Sequence, residues 1–234
     1  MSTILVQQVH KTLGHGPQAT HALRGVSLEA KPGDFVAISG KSGSGKTTLL
    51  NSIAGLLPVD SGTITVGDSV VSQSDETELL SLRRETIGVV HQSDLIIAEL
   101  TAAENIELVL AAAGWDPALT RQETERLLDH VGLAGLGHRY PTELSRGQCQ
   151  RVGIARALSG QRSVLLADEP SAALDQENSH AVFALFRSLA RAGSTVIVTS
   201  HDPLVLEYCS HSFELIDGSL RDANGMKRKA STRA

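Results

Sequence analysis

Three short stretches of this chain carry apolar side chains at nearly every position: Phe35-Val36-Ala37-Ile38, Val164-Leu165-Leu166-Ala167 and Val196-Ile197-Val198. An unbroken run of that length, bounded by turn formers, predicts a strand buried on both faces, as in a parallel sheet. Elsewhere the pattern alternates. Val26, Leu28 and Ala30 stand between polar neighbours, so 22–30 is read as a half-buried strand, with 3–9, 63–66 and 87–90 as further short strands. Asp217-Gly218 joins two short strands, 213–216 and 219–220, as a hairpin.

The helical period fills the rest. A helix is predicted over 48–56, a short polar one over 75–84, and a third over 177–192 with Val182, Leu185, Phe186 and Leu189 on one face and Gly193 beyond its end. From Thr101 to about Leu158 the spacing is helical throughout. Thr101 with Glu104 forms a capping box, and 119–131 and 148–158 are further helices. Gly14-His15-Gly16-Pro17, Lys31-Pro32-Gly33-Asp34 and 57–62 are turn signals, and Trp115 in Gly114-Trp115-Asp116-Pro117 is read as a packing anchor. The chain therefore reads as an α/β core with a small antiparallel sheet and an inserted helical lobe. The core is placed at about 1–92 and 159–221, and the lobe at about 93–158. A basic, solvated tail over 222–234 carries Lys227-Arg228-Lys229.

Composition narrows the partners. Of 234 residues 41% are hydrophobic and 20% charged, which suffices for a packed core. The formal net charge of −5 argues against nucleic acid, whose footprint is basic. No stretch approaches the roughly 18 apolar residues of a membrane span, and the first residues, Met1-Ser2-Thr3-Ile4-Leu5-Val6, lack a basic signal-peptide start. The expectation is a cytosolic chain, or one bound to a membrane only through a partner. Cys149 and Cys209 form no C-x-x-C pair and are read as reduced thiols. His10, His15 and His21 have no carboxylate or thiol among them to complete a metal site.

The chemistry sits at the ends of the buried runs. Gly40-Lys41-Ser42-Gly43-Ser44-Gly45-Lys46-Thr47-Thr48 follows the first run and fits the phosphate-loop pattern G-x-x-x-x-G-K-[ST] without a gap. Its glycines let successive N–H groups converge on phosphate oxygens, and the following helix adds its positive end. Lys46 is placed to neutralise the β- and γ-phosphates, and Thr47 to hold magnesium. The second run delivers Asp168 and Glu169 to its carboxyl end, where open parallel sheets bind ligands. Asp168 is expected to position magnesium and Glu169 to polarise an attacking water. The fold class expected is thus a P-loop NTPase with a RecA-like core.

Leu144-Ser145-Arg146-Gly147-Gln148 is the third piece. With it, the chain resembles the ATP-binding subunit of an ABC transporter over nearly its whole length. The resemblance implies the ABC ATPase fold, and ATP and Mg2+ as cofactors. It also implies a homodimer in which Ser145, Gly147 and Gln148 of one subunit contact the γ-phosphate of ATP held by the other. By the same resemblance Gln92 reaches magnesium and senses the membrane partner, Asp175 belongs to a loop communicating between subunits, and His201 touches the γ-phosphate. The catalytic set is then Glu169, His201 and Lys46, and the metal set Thr47, Gln92 and Asp168.

Two positions depart from the family's pattern. Arg146 replaces the usual glycine of the signature. Leu13 stands where the family places an aromatic residue on the adenine, which implies looser selectivity among nucleotides. The stretch 166–175 is most similar to the branch that includes the macrolide exporter MacB, the lipoprotein-release ATPase LolD and the cell-division ATPase FtsE. That branch implies a separate integral membrane permease as partner, location at the cytoplasmic face of the membrane, and hydrophobic or amphipathic cargo to be exported. An alternative within the branch is an ATP-driven regulator of a permease-like partner that controls cell-wall enzymes. One phosphate loop, one signature and an acidic balance set aside a nucleic-acid-acting ABC ATPase. A small-molecule kinase would not explain Ser145 to Gln148 or His201.

Overall fold

The computed structural model describes residues 2–91, 96–160 and 162–223. Two sheets carry the architecture. β1 (Ile4–Leu13), β2 (Thr20–Ala30), β4 (Ser61–Val66) and β5 (Ser69–Val70) form an antiparallel sheet in the order β2-β1-β4-β5. The second sheet has the order β10-β9-β3-β8-β7-β6. It comprises β3 (Phe35–Ser39), β6 (Ile87–Val90), β7 (Val164–Asp168), β8 (Thr195–Thr199), β9 (His211–Ile216) and β10 (Ser219–Asp222). The pairs β9-β3, β3-β8, β8-β7 and β7-β6 are parallel, and only the β9–β10 hairpin is antiparallel. β7 and β8 are buried at every residue, as their unbroken apolar runs require.

Among the described residues six α-helices complete the fold: α1 (Lys46–Ile53), α2 (Glu76–Glu85), α3 (Ala102–Ala112), α4 (Pro117–His130), α5 (Arg146–Leu158) and α6 (Gln176–Arg191). Two apolar clusters divide the core between the faces of the large sheet. One joins β1, β2, β4 and α1 to one face through Ile4, Leu28, Leu49 and Ile197. The other joins α3 to α6 to the opposite face through Ile106, Val152, Phe183 and Phe186, with Trp115 packed against it. Between β6 and β7 the chain runs through α3, α4 and α5, which pack on one another. α5 approaches β6 so closely that a side chain at Gly88 would collide with the Ala157 carbonyl.

The differences from the sequence reading are local. α1 starts at Lys46 rather than 48, because Gly45 already turns the chain into the helix, and it ends at Ile53. β1 extends beyond residue 9 to Leu13, past a bulge at Gln8 (φ 48°) that breaks the alternation. α6 buries Phe183 together with Val182, Phe186 and Leu189, while Leu185 is only partly covered. β10 continues to Asp222, one residue into the stretch read as tail; residues 224–234 lie outside the described residues.

Candidate active site

The phosphate loop leaves β3 between β8 and β9 and turns through Gly40, Gly43 and Gly45, with φ of 154°, 78° and 107°. Space as well as conformation demands glycine at Gly45, where a Cβ would run into the carbonyl of Ala22 on β2. At Gly40 a Cβ would stand 2.5 Å from the carbonyl of Leu215 on β9. The loop is also tied to the hairpin, since Gly218 N donates to Ser44 O (3.2 Å). Lys46, the first residue of α1, is buried and folds back over the loop. Its Nζ donates to Gly40 O at 2.8 Å and Lys41 O at 3.3 Å.

β7 brings its two carboxylates against this loop. Thr47 Oγ1 donates to Asp168 Oδ2 at 2.6 Å, and Thr199 Oγ1 on β8 donates to Asp168 Oδ1. Glu169 leaves the strand with φ of 49°, a left-handed conformation that costs a non-glycine residue about 1–3 kcal/mol and is found where surrounding bonds enforce it. Here they do. Glu169 N donates to Thr199 O (2.9 Å), and Oε2 accepts from His201 N (3.1 Å) and lies 2.7 Å from His201 Nδ1. Oε1 is ion-paired with Lys46 Nζ at 3.3 Å.

These groups open into one cleft of about 580 Å³, lined by Leu13, Thr20 and Ala22 at one end and by Lys46, Glu169 and His201 at the other. Gly40 to Gly43, Gly45, Thr47 and Thr48 form its floor. Ser44 lies buried beneath the loop and Asp168 behind Thr47. The cleft thus places a cation, two hydroxyl-bearing helix residues and a carboxylate around the space that a triphosphate would fill.

Ser145, Gly147, Gln148 and Asp175 are built elsewhere and line no part of this cleft. Ser145 caps α5: its Oγ accepts from Gln148 N (3.2 Å), and Gln148 Oε1 accepts from Ser145 N (2.8 Å). Arg146 is exposed at the first turn of α5. Gly147 is buried against Asn178 of α6, whose Cγ would lie 2.5 Å from a Cβ at that position. Asp175 caps α6, and the Asn178 backbone N–H followed by its side-chain amide hold the Asp175 carboxyl below its ordinary pKa. Gln92 lies outside the described residues. The sequence reading missed Thr199 and Asn178. The only signal for Thr199 was a hydroxyl at the end of a buried apolar run, and for Asn178 an amide three residues after Asp175.

A phosphate loop and two strand-end carboxylates on this two-sheet core, with α3, α4 and α5 between β6 and β7, define an ATPase of the ATP-binding-cassette class. Residues 23–172 match the ABC transporter family, and the chain belongs to it. It is 41% identical over 223 residues to the macrolide export ATP-binding/permease protein MacB of Marinobacter nauticus, covering 95% of this chain and 34% of that protein. To MacB of Escherichia coli (strain K12) it is 37% identical over 215 residues, covering 92% and 33%. The chain thus spans about a third of the length of these relatives. Among solved structures it is similar to the dimeric ATP-binding cassette MJ0796 in a post-hydrolysis state bound to ADP and Pi. That match has a TM-score of 0.85 at 34% identity, covering 94% of this chain and 98% of that one. The ADP conformation of the cassette MJ1267 matches with a TM-score of 0.79 at 26% identity, covering 94% and 90%. Among the described residues no helix is long and apolar enough to cross a membrane.

Proposed function

We propose that this chain is the nucleotide-binding subunit of an exporter. It hydrolyses MgATP at the cytoplasmic face of a membrane and drives a permease that extrudes hydrophobic or amphipathic cargo. The likeness to MacB proteins, named for macrolide export, favours export over a purely regulatory role. The observation that carries the reading is the divided site. Lys46, Thr47, Glu169 and His201 line one cleft with Asp168 bonded behind Thr47, while Ser145 and Gly147 form a second helix N-terminus outside it. A helix start of this kind favours an anion. A second copy of the chain, paired head to tail, brings its own Ser145 and Gly147 over the open cleft.

The donor set fits the cofactor. Thr47 Oγ1 and Asp168 present hard oxygen ligands side by side, the type that suits magnesium. Magnesium bound with ATP neutralises charge on the β- and γ-phosphates. In this reading, an arriving triphosphate draws Lys46 Nζ off Glu169 Oε1, and the freed carboxylate turns to a water. As the water oxygen attacks the γ-phosphorus, Glu169 takes its proton and the bond to the ADP oxygen breaks. His201 keeps Glu169 oriented through Oε2. Product release separates the pair, and the lobe over about 93–158 transmits the movement to the permease.

The test is Glu169→Gln. Phosphate release falls by about 10²- to 10⁴-fold, the usual loss with a general base, and sedimentation with MgATP shows a stable dimer. Hydrolysis at the unaltered rate, or a monomer at high MgATP and protein concentration, refutes the reading.

A further inference from the structure

Asn178 touches two elements of the proposed pairing surface at once. Its backbone N–H donates to Asp175 Oδ1 at 2.8 Å, and its Nδ2 donates to both Asp175 oxygens at 3.0 and 2.9 Å. Three bonds from one residue fix that carboxylate at the start of α6. The other end of the amide faces α5. Oδ1 accepts from Arg151 Nη1 at 3.4 Å, and the side chain fills the space where Gly147 would otherwise carry a Cβ. The orientation of the amide is set by its neighbours, since a carboxylate only accepts and a guanidinium only donates. Asn178 is therefore a two-ended spacer. One end specifies Asp175 and the other the first turn of the helix that Ser145 caps. It lines no part of the phosphate cleft.

We infer that Asn178 is a positioning residue for the pairing of two subunits: it locks Asp175 and the Ser145–Gly147 turn into one rigid surface, without contacting the nucleotide. The inference rests on the head-to-tail pairing proposed above. It also gives Gly147 a second reason to be glycine, because a methyl group there displaces Asn178 and loosens Asp175 with it. A surface held rigid before association loses less conformational freedom on docking, which is why the spacer acts on pairing.

The experiment uses the full chain carrying Glu169→Gln, alone and with Asn178→Asp or Asn178→Ala. Asn178→Asp keeps the shape but sets a carboxylate against that of Asp175, and Asn178→Ala removes both ends of the spacer. Sedimentation velocity across a protein concentration series with MgATP gives the dimerisation constant. Binding of a fluorescent ATP analogue to the monomer and thermal unfolding are followed in parallel. The expected result is at least a tenfold weaker dimer for both variants, with analogue affinity within about twofold and the unfolding transition nearly unmoved. Dimerisation as tight as in Glu169→Gln alone overturns the inference. Nucleotide affinity and unfolding that fall together with dimerisation also overturn it, because Asn178 is then a structural residue only. A Glu169→Gln parent that stays monomeric is a different failure: it removes the pairing reading itself.

Discussion

Lys46 Nζ and Glu169 Oε1 stand 3.3 Å apart, and both side chains are more than nine-tenths buried. The candidate phosphate-binding cation and the candidate base thus neutralise one another in this structure. Removing one partner of a buried pair is costly, because it strands the other charge, at about 3–5 kcal/mol. Lys46→Met is expected near the low end, since His201 still faces Glu169. In a Glu169→Gln background the same substitution costs less, and a thermal-unfolding double-mutant cycle without nucleotide shows a coupling of about 1–3 kcal/mol. A coupling of zero removes the ion pair from the account.

Thr199 tests the support behind the carboxylates. Its hydroxyl donates to Asp168 Oδ1, and its carbonyl accepts from Glu169 N (2.9 Å). Thr199→Val preserves the packing of a fully buried position but leaves Asp168 Oδ1 without that donor. Groups that orient a metal ligand typically govern about 10- to 100-fold in metal affinity or activity. The magnesium concentration for half-maximal phosphate release is expected to rise by about tenfold. An unchanged magnesium titration contradicts the role given to Asp168.

Gly43 and Gly45 should part company on substitution. Both have positive φ, 78° and 107°, so alanine costs each about 1–2 kcal/mol. Open space surrounds Gly43, whereas a methyl on Gly45 meets the backbone of Ala22. Gly43→Ala should stop at that conformational cost and keep ATP binding. Gly45→Ala should lose ATP binding to beyond the range of a fluorescent-analogue titration. Equal affinities for the two variants would mean that the close approach to Ala22 does not shape the loop.

Leu13, 40% exposed at the mouth of the cleft, offers a nucleoside base aliphatic packing and no hydrogen-bond reader of its edge. GTP is therefore expected to compete with ATP with an inhibition constant within about threefold of ATP's own KM. A base–aromatic stack is worth about 1–3 kcal/mol and tolerates any base. Leu13→Tyr should tighten both nucleotides rather than one. Strong preference for ATP in the unaltered chain goes against this account.

The large sheet and the candidate site on it were legible where one residue type had one physical use. Unbroken apolar runs named β3, β7 and β8, and the glycine-lysine-threonine spacing located the cleft floor. Strand order was not legible, because the pairing of β3 with β8 and β9 depends on contacts some 160–175 residues apart. β5 escaped because two residues paired after a turn leave no period. The bulge at Gln8 hid the second half of β1 in the same way. Thr199 and Asn178 were missed for a further reason: each acts through another residue, and a partner's partner has no spacing rule in the chain.

The phosphate loop is walled by distant parts of the chain. Gly45 lies against Ala22, Gly40 against Leu215, and Ser44 accepts from Gly218. During synthesis, residues 40–48 emerge long before 215–218. A nascent chain released from the ribosome only through β8 has the loop's sequence but lacks two of its three walls. ATP binding is then expected to mature only with the β9–β10 hairpin, and a chain ending at β8 is expected to hold nucleotide weakly.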